Sequence, residues 1–122
     1  MSDTAVTLSV VTRFNEAFNQ HDIEKVMSIM TDDCLFENTY PQPDGARYRG
    51  RQAVQAAFEQ FFQSSPQAEF KVEEMFAAGN RCVVRWVYYW ADEKDERSHV
   101  RGVDIFRVQN GKVAEKLSYV KG

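Results

Sequence analysis

Only two histidines, two cysteines and three prolines occur in this chain, and each shortage removes a class of protein. Cys34 and Cys82 form no CxxC pair and no metal-ligand spacing, so neither a zinc site nor a disulfide framework is expected. They read instead as buried free thiols in a reducing cytoplasm. His21 and His99 stand apart, with no acid at ligand spacing; His21 is expected in a solvated turn and His99 on an outward-facing strand position. Asp92, Glu93, Asp95 and Glu96 lack the glycine and spacing of a calcium loop and read as a solvated hairpin tip. No apolar run approaches the ~20 residues that cross a bilayer. Met1 to Val11 has neither a cationic stretch nor a long apolar one, so a secretory signal is not expected there. Fifteen cations are dispersed against eighteen acids, for a net charge of −3. No basic stripe can neutralise a run of phosphates, which argues against nucleic acid as a partner.

What remains is 122 residues with 43% hydrophobic content, enough to bury one core without staples or metal. Nine Phe, five Tyr and two Trp make the chain rich in rings. Val10, Val11, Phe14, Ala17 and Phe18 recur at helical spacing, predicting a helix from about Thr4 to Gln20. Asp22 suits the cap of a second helix carrying Ile23, Val26, Met27 and Met30 inward. After Gly50 a third helix is predicted over Arg51 to about Gln63, with Val54, Ala57, Phe58, Phe61 and Phe62 apolar. A short strand, Cys34 to Tyr40, lies between helices two and three. It leads into Pro41-Gln42-Pro43-Asp44-Gly45, a turn-rich loop. Beyond Pro66 four strands follow, over Phe70–Ala78, Arg81–Ala91, Ser98–Val108 and Lys112–Val120. Gly79-Asn80 and Gln109-Asn110-Gly111 mark two of the turns between them. Strands joined this closely form an antiparallel meander. The expected class is α+β, with a strongly curved sheet wrapped around helices to enclose an apolar pocket.

Strand alternation assigns the faces. Cys82, Val84, Trp86, Tyr88 and Trp90 share one side, against Arg81, Val83, Arg85, Val87 and Tyr89. The first set is the inner one on polarity. On the next strand Val100, Gly102, Asp104, Phe106 and Val108 turn inward, which leaves Asp104 among apolar neighbours. An ionised carboxylate there is costly unless partnered. If Gln109-Asn110-Gly111 is a three-residue loop, Val108 pairs with Lys112 and Asp104 lies opposite Lys116. Ala114, Ser118 and Val120 then share that face. A two-residue Asn-Gly loop would set Leu117 opposite Asp104 and turn Lys116 outward, because a slip of one residue exchanges the faces. The three-residue loop is the expected one. On the first strand Cys34, Phe36, Asn38 and Tyr40 share a face, so Asn38 is a second polar group directed inward.

Asp104 is thus the leading candidate for acid–base work. An apolar cavity disfavours its charged form, while Lys116 would favour it. Asn38 and Lys116 are its candidate helpers. Phe14, Phe18, Phe36, Tyr40, Phe58, Phe62, Trp86, Tyr88, Trp90 and Val100 are expected to line the pocket, since rings on both walls of a curved sheet can enclose an apolar guest. Tyr48 and Arg49 are expected in a loop near its mouth. The outer face alternates Arg85, Arg101 and Arg107 with Val87, Tyr89, Val103, Ile105, Leu117 and Tyr119. So apolar an exposed face predicts a homodimer through the outer sheet, its arginines paired across the interface to acids such as Glu115.

The order helix-helix-strand-helix and then a four-strand meander resembles the NTF2-like superfamily. The carriers are Thr12-Arg13-Phe14-Asn15-Glu16, Thr31-Asp32-Asp33-Cys34, Tyr48-Arg49-Gly50-Arg51-Gln52-Ala53-Val54, Gly102-Val103-Asp104-Ile105-Phe106-Arg107-Val108 and Asn110-Gly111-Lys112-Val113-Ala114-Glu115-Lys116. The chain looks most like the SnoaL-like branch, related to polyketide cyclases and ketosteroid isomerases. The resemblance covers nearly the whole chain. It implies a single cone-shaped domain over residues 1–122, often dimeric, holding a small apolar or oxygenated molecule without metal or other cofactor. Ketosteroid isomerases use a Tyr on helix one, a general-base Asp on the first strand and a protonated Asp on the sheet. Those positions fall here on Phe14, Asn38 and Asp104. Phe14 cannot donate a hydrogen bond and Asn38 cannot take up a proton, so that mechanism is not expected. Limonene epoxide hydrolases need an Asp on the last strand, where this chain has Ser118. The resemblance leaves a cofactor-independent isomerase, cyclase or hydrolase using Asp104, or a non-catalytic binding or interaction domain.

Overall fold

A computed structural model describes residues 3–91 and 97–122. The acidic segment Asp92 to Glu96, expected as a hairpin tip, lies outside the described residues. Helix α1 spans Asp3–Asn19 and buries Val10, Val11, Phe14, Ala17 and Phe18 along one stripe. His21 ends it in a left-handed conformation, φ 56°. Its N–H reaches the Phe18 carbonyl and the N–H of Asp22 reaches that of Ala17, closing a Schellman turn. His21 is not the solvated residue the sequence predicts. Its ring stacks on Phe62 at 4.5 Å, and Nε2 lies 3.3 Å from the Ala68 carbonyl. Asp22 caps α2, Ile23–Ser28, by accepting from the Lys25 N–H.

Strand β1, Met30–Glu37, is followed by β2, Arg47–Arg49, which pairs antiparallel with it. Tyr48 and Arg49 are therefore strand residues, not the loop expected of them. Gly50, at φ 88°, turns the chain into α3, Arg51–Ser64. The Arg51 guanidinium donates to the carbonyls of Met27 and Met30, tying the start of α3 to the α2–β1 junction.

The meander is as expected: β3 (Glu69–Ala78), β4 (Arg81–Ala91), β5 (Arg97–Gln109) and β6 (Lys112–Val120) run antiparallel in turn. β1 joins β6 in parallel, so one mixed six-stranded sheet has the order β2-β1-β6-β5-β4-β3. Its inner face holds the helices, with Phe14, Phe58 and Phe106 fully buried where α1, α3 and β5 meet. Helix α1 is laced to the edge strand β3 at both ends. Asn19 donates to the carbonyl of Phe70 and accepts its N–H; at the other end Thr7 donates to the Gly79 carbonyl and Thr4 accepts the Gly79 N–H.

The β5–β6 turn differs from expectation. Gln109 pairs with Lys112, so the loop is the two residues Asn110 and Gly111, both at positive φ. Between Arg107 and Val108 the register shifts: Val108 pairs with Val113 but Arg107 pairs with Glu115. Ala114 is the surplus residue of a bulge. Asp104 therefore lies opposite Ser118, not Lys116. The one-residue shift nevertheless returns Lys116 to the inner face, opposite Phe106.

The outer face carries its own ion pairs. Arg81 and Arg107 both reach Glu115, Arg85 reaches Glu74 and Arg101 reaches Glu73, at 3.0 to 3.3 Å. Glu115, expected to meet arginines of a second copy, is thus engaged within its own chain. Such exposed pairs each contribute roughly 0–1 kcal/mol.

Candidate ligand pocket and active site

Between α3, the inner sheet face and the ends of β1 and β6 lies a cavity of about 600 Å³. That is within the ~300–1,000 Å³ range of small-molecule sites. Seven of the ten candidate lining residues border it: Phe18, Phe36, Phe58, Trp86, Tyr88, Trp90 and Val100. Phe14 and Phe62 do not. Phe14 is fully buried one layer behind, its ring 5.5 Å from Phe106 and 6.3 Å from Phe58. Phe62 backs onto His21 and Phe18. Tyr40 is corrected most plainly: at 75% exposure it points to solvent. β1 ends at Glu37, so the alternation that would have turned Tyr40 inward stops before reaching it.

Sequence reasoning passed over other lining residues. Phe61 and Phe70 complete the aromatic wall, and the connection Ser64 to Ala68 also lines the cavity. Phe61 was legible as an apolar residue one turn from Phe58. The connection carried no periodic signal.

All three candidate catalytic residues border the cavity. Asp104 and Lys116 are both buried, and Lys116 Nζ lies 3.4 Å from Asp104 Oδ2. The ammonium also donates to Ser118 Oγ at 3.1 Å and sits over the rings of Phe36 and Phe18, at 4.9 and 5.3 Å from their centroids. Ion pair, hydroxyl and ring faces together satisfy a cation that would otherwise be costly to bury. Asp104 is less completely served. Its Oδ1 is buried and without a hydrogen-bond partner among the described residues, as is the indole Nε1 of Trp86. Asn38 lies just beyond β1. Its side-chain oxygen accepts from the Thr39 N–H at 2.8 Å, which turns its local acceptor away from chemistry.

Gly102, between Val100 and Asp104 on the inner face, sets the cavity's shape. A Cβ there would lie 2.5–2.6 Å from the six-membered ring of Trp86 and would strike the carbonyl of Tyr119. The indole lies across the strand because nothing projects from it.

Burial pushes the Cys82 thiol up to about 11 and raises that of Cys34 as well. Both thiols stay protonated near neutrality and are poor nucleophiles. Among the described residues no cluster of three or more His, Cys, Asp or Glu side chains is placed to hold a metal ion. No helix among them is long and apolar enough to cross a membrane.

The family model for the SnoaL-like domain matches residues 11–116. An NTF2-like protein of unknown function from Mesorhizobium loti is 37% identical, superposes with a TM-score of 0.84, and aligns over 100% of this chain and 96% of its own. An epoxide hydrolase of the limonene-epoxide-hydrolase-like kind from M. tuberculosis is 19% identical, with a TM-score of 0.80 over 99% of this chain and 82% of its own. The protein TerC, solved with polyporic acid, is 15% identical, with a TM-score of 0.80 over 95% and 92%. The last two are likenesses of fold. No curated protein matches the chain significantly. On the match to the domain model and the full-length Mesorhizobium likeness, the chain belongs to the SnoaL-like family of NTF2-like proteins.

Proposed function

We propose that this protein takes a small, mostly apolar, oxygenated molecule into the cavity and transforms it as a cofactor-independent isomerase, cyclase or hydrolase. Asp104 is its acid or base. The observation that carries this reading is the buried Asp104–Lys116 pair bordering an aromatic cavity, with one carboxylate oxygen still unpartnered. A carboxylate so placed is within reach of a guest's proton, and Lys116 can stabilise negative charge that develops on a neighbouring oxygen. Asn38, which also lines the cavity, keeps its amide N–H groups for a guest. Solved structures of the same fold include an epoxide hydrolase and a protein holding polyporic acid, which fits an oxygenated guest.

A second reading, binding without chemistry, draws on Phe14 and Asn38. Neither can supply the proton donor or the base that ketosteroid isomerases place there. A tryptophan-fluorescence screen of oxygenated aromatic and alicyclic compounds separates the two, because Trp86 and Trp90 border the cavity. Compounds that bind are then followed for turnover. Asp104→Asn is expected to abolish turnover while retaining binding. Unchanged turnover removes Asp104 from the mechanism, and binding without turnover in the parent protein establishes the carrier.

The outer sheet face supports a homodimer in this reading. Phe76 and Tyr119 stand there about half exposed, and with the arginines already paired, apolar contact is what holds two copies together. Sedimentation is expected to show a dimer at micromolar concentration, and a monomer there would remove it. Two buried thiols suit a reducing compartment, which supports the cytoplasm as its location.

A further inference from the structure

Three buried side-chain polar atoms lack hydrogen-bond partners among the described residues: Thr31 Oγ1, Trp86 Nε1 and Asp104 Oδ1. The last two belong to one place. Val84 pairs with Asp104 across β4 and β5, and Trp86 pairs with Gly102, so Trp86 and Asp104 are diagonal neighbours on the inner face. Both border the large cavity. Both also border a second chamber of about 20 Å³ beneath α1, shared with Asn15, Phe70 and Lys116. One of the two atoms is a donor only and the other an acceptor only. Leaving a buried polar group unpaired forfeits its hydration without return, so two in one place call for a common partner.

We propose that Trp86 and Asp104 form a two-point receptor for one hydroxyl group, whose oxygen accepts from the indole N–H while its proton is donated to Asp104 Oδ1. Charge selects the chemistry. Lys116 is already matched by Asp104, and a free carboxylate oxygen repels an anion, so the guest group is neutral. A ketone or ether would satisfy Trp86 alone and leave Oδ1 unpaired. A phenol, enol or alcohol satisfies both. The hydroxyl has two sources: a ligand in the large cavity, or a water molecule in the small chamber, whose volume suffices for one. The ligand arm rests on the pocket reading proposed above. The water arm does not.

The test uses three probes of nearly one shape: 2-naphthol, 2-methoxynaphthalene and naphthalene. Binding is measured by calorimetry, and the Trp86 indole N–H is followed by NMR, with Trp90→Phe to assign the signal. If the ligand supplies the hydroxyl, 2-naphthol binds at least ten-fold tighter than the other two and moves the Trp86 indole proton downfield. Trp86→Phe then removes that preference, leaving 2-naphthol no tighter than 2-methoxynaphthalene, with the parent protein's far-UV circular dichroism as the control for folding. If water supplies it, the three probes bind alike and the Trp86 indole proton shows a cross-peak to a long-lived water. Equal binding with no such cross-peak overturns the receptor and leaves the pocket standing. Failure of all three to bind ends the pocket reading; a water cross-peak would still uphold the receptor, and its absence would end both.

Discussion

Lys116→Met is expected to destabilise the fold by about 3–5 kcal/mol at neutral pH, because it strands the Asp104 carboxylate inside the protein without its counter-ion. The two side chains are more than nine-tenths buried, so solvent does little to screen the loss. Methionine keeps most of the lysine's volume, and the cost is therefore electrostatic and not a cavity. Asp104→Asn is expected to cost less. The orphaned ammonium retains Ser118 Oγ and the faces of Phe36 and Phe18, whereas the orphaned carboxylate has no comparable reserve. In the double variant Asp104→Asn/Lys116→Met no charge is left to strand, and most of the stability should return. Urea denaturation of the three variants forms a complete cycle. A loss below about 1 kcal/mol in Lys116→Met would mean that the carboxylate finds water, contrary to its burial here.

Gly102→Val is the second large effect, with an expected loss of about 3 kcal/mol, at the upper end of what overpacking costs. The Trp86 ring can rotate away from the new side chain; the carbonyl of Tyr119 is backbone and cannot. Binding should fail with stability, since the displaced indole has only the cavity to move into. Thermal unfolding and the naphthalene probe report the two losses separately. Unaltered affinity in a folded Gly102→Val protein would show that the indole does not shape the cavity.

The large features of the fold were legible because each rests on a repeated signal. Alternation from Cys82 to Trp90 set the inner face of β4 before any pairing was known, and the spacing from Val10 to Phe18 did the same for α1. Features resting on one or two residues were not legible. β2 is three residues long and exists through its pairing with β1, so nothing in Arg47-Tyr48-Arg49 announces it. The bulge at Ala114 leaves no mark in composition, yet it decides where Lys116 points. The expected three-residue loop and the observed two-residue loop with a surplus residue beyond it place Lys116 on the same face. The candidate pair was thus legible though its register was not. Tyr40, Phe14 and Phe62 were misplaced for a different reason: periodicity assigns a side to each residue but neither where the strand ends nor how deep in the core a ring lies.

The lacing of α1 to β3 has a consequence for traffic. Asn19 at one end and two threonines at the other hold the helix down like a stave under two hoops. The wall beneath it cannot swing out without breaking both fastenings. A guest of the proposed kind would then find no passage on the α1 side, and Asn38, Thr39 and the Ser64–Ala68 connection border the cavity away from that helix. With that side fastened, a bulky compound lodged among those residues would delay such a guest's release as well as its uptake.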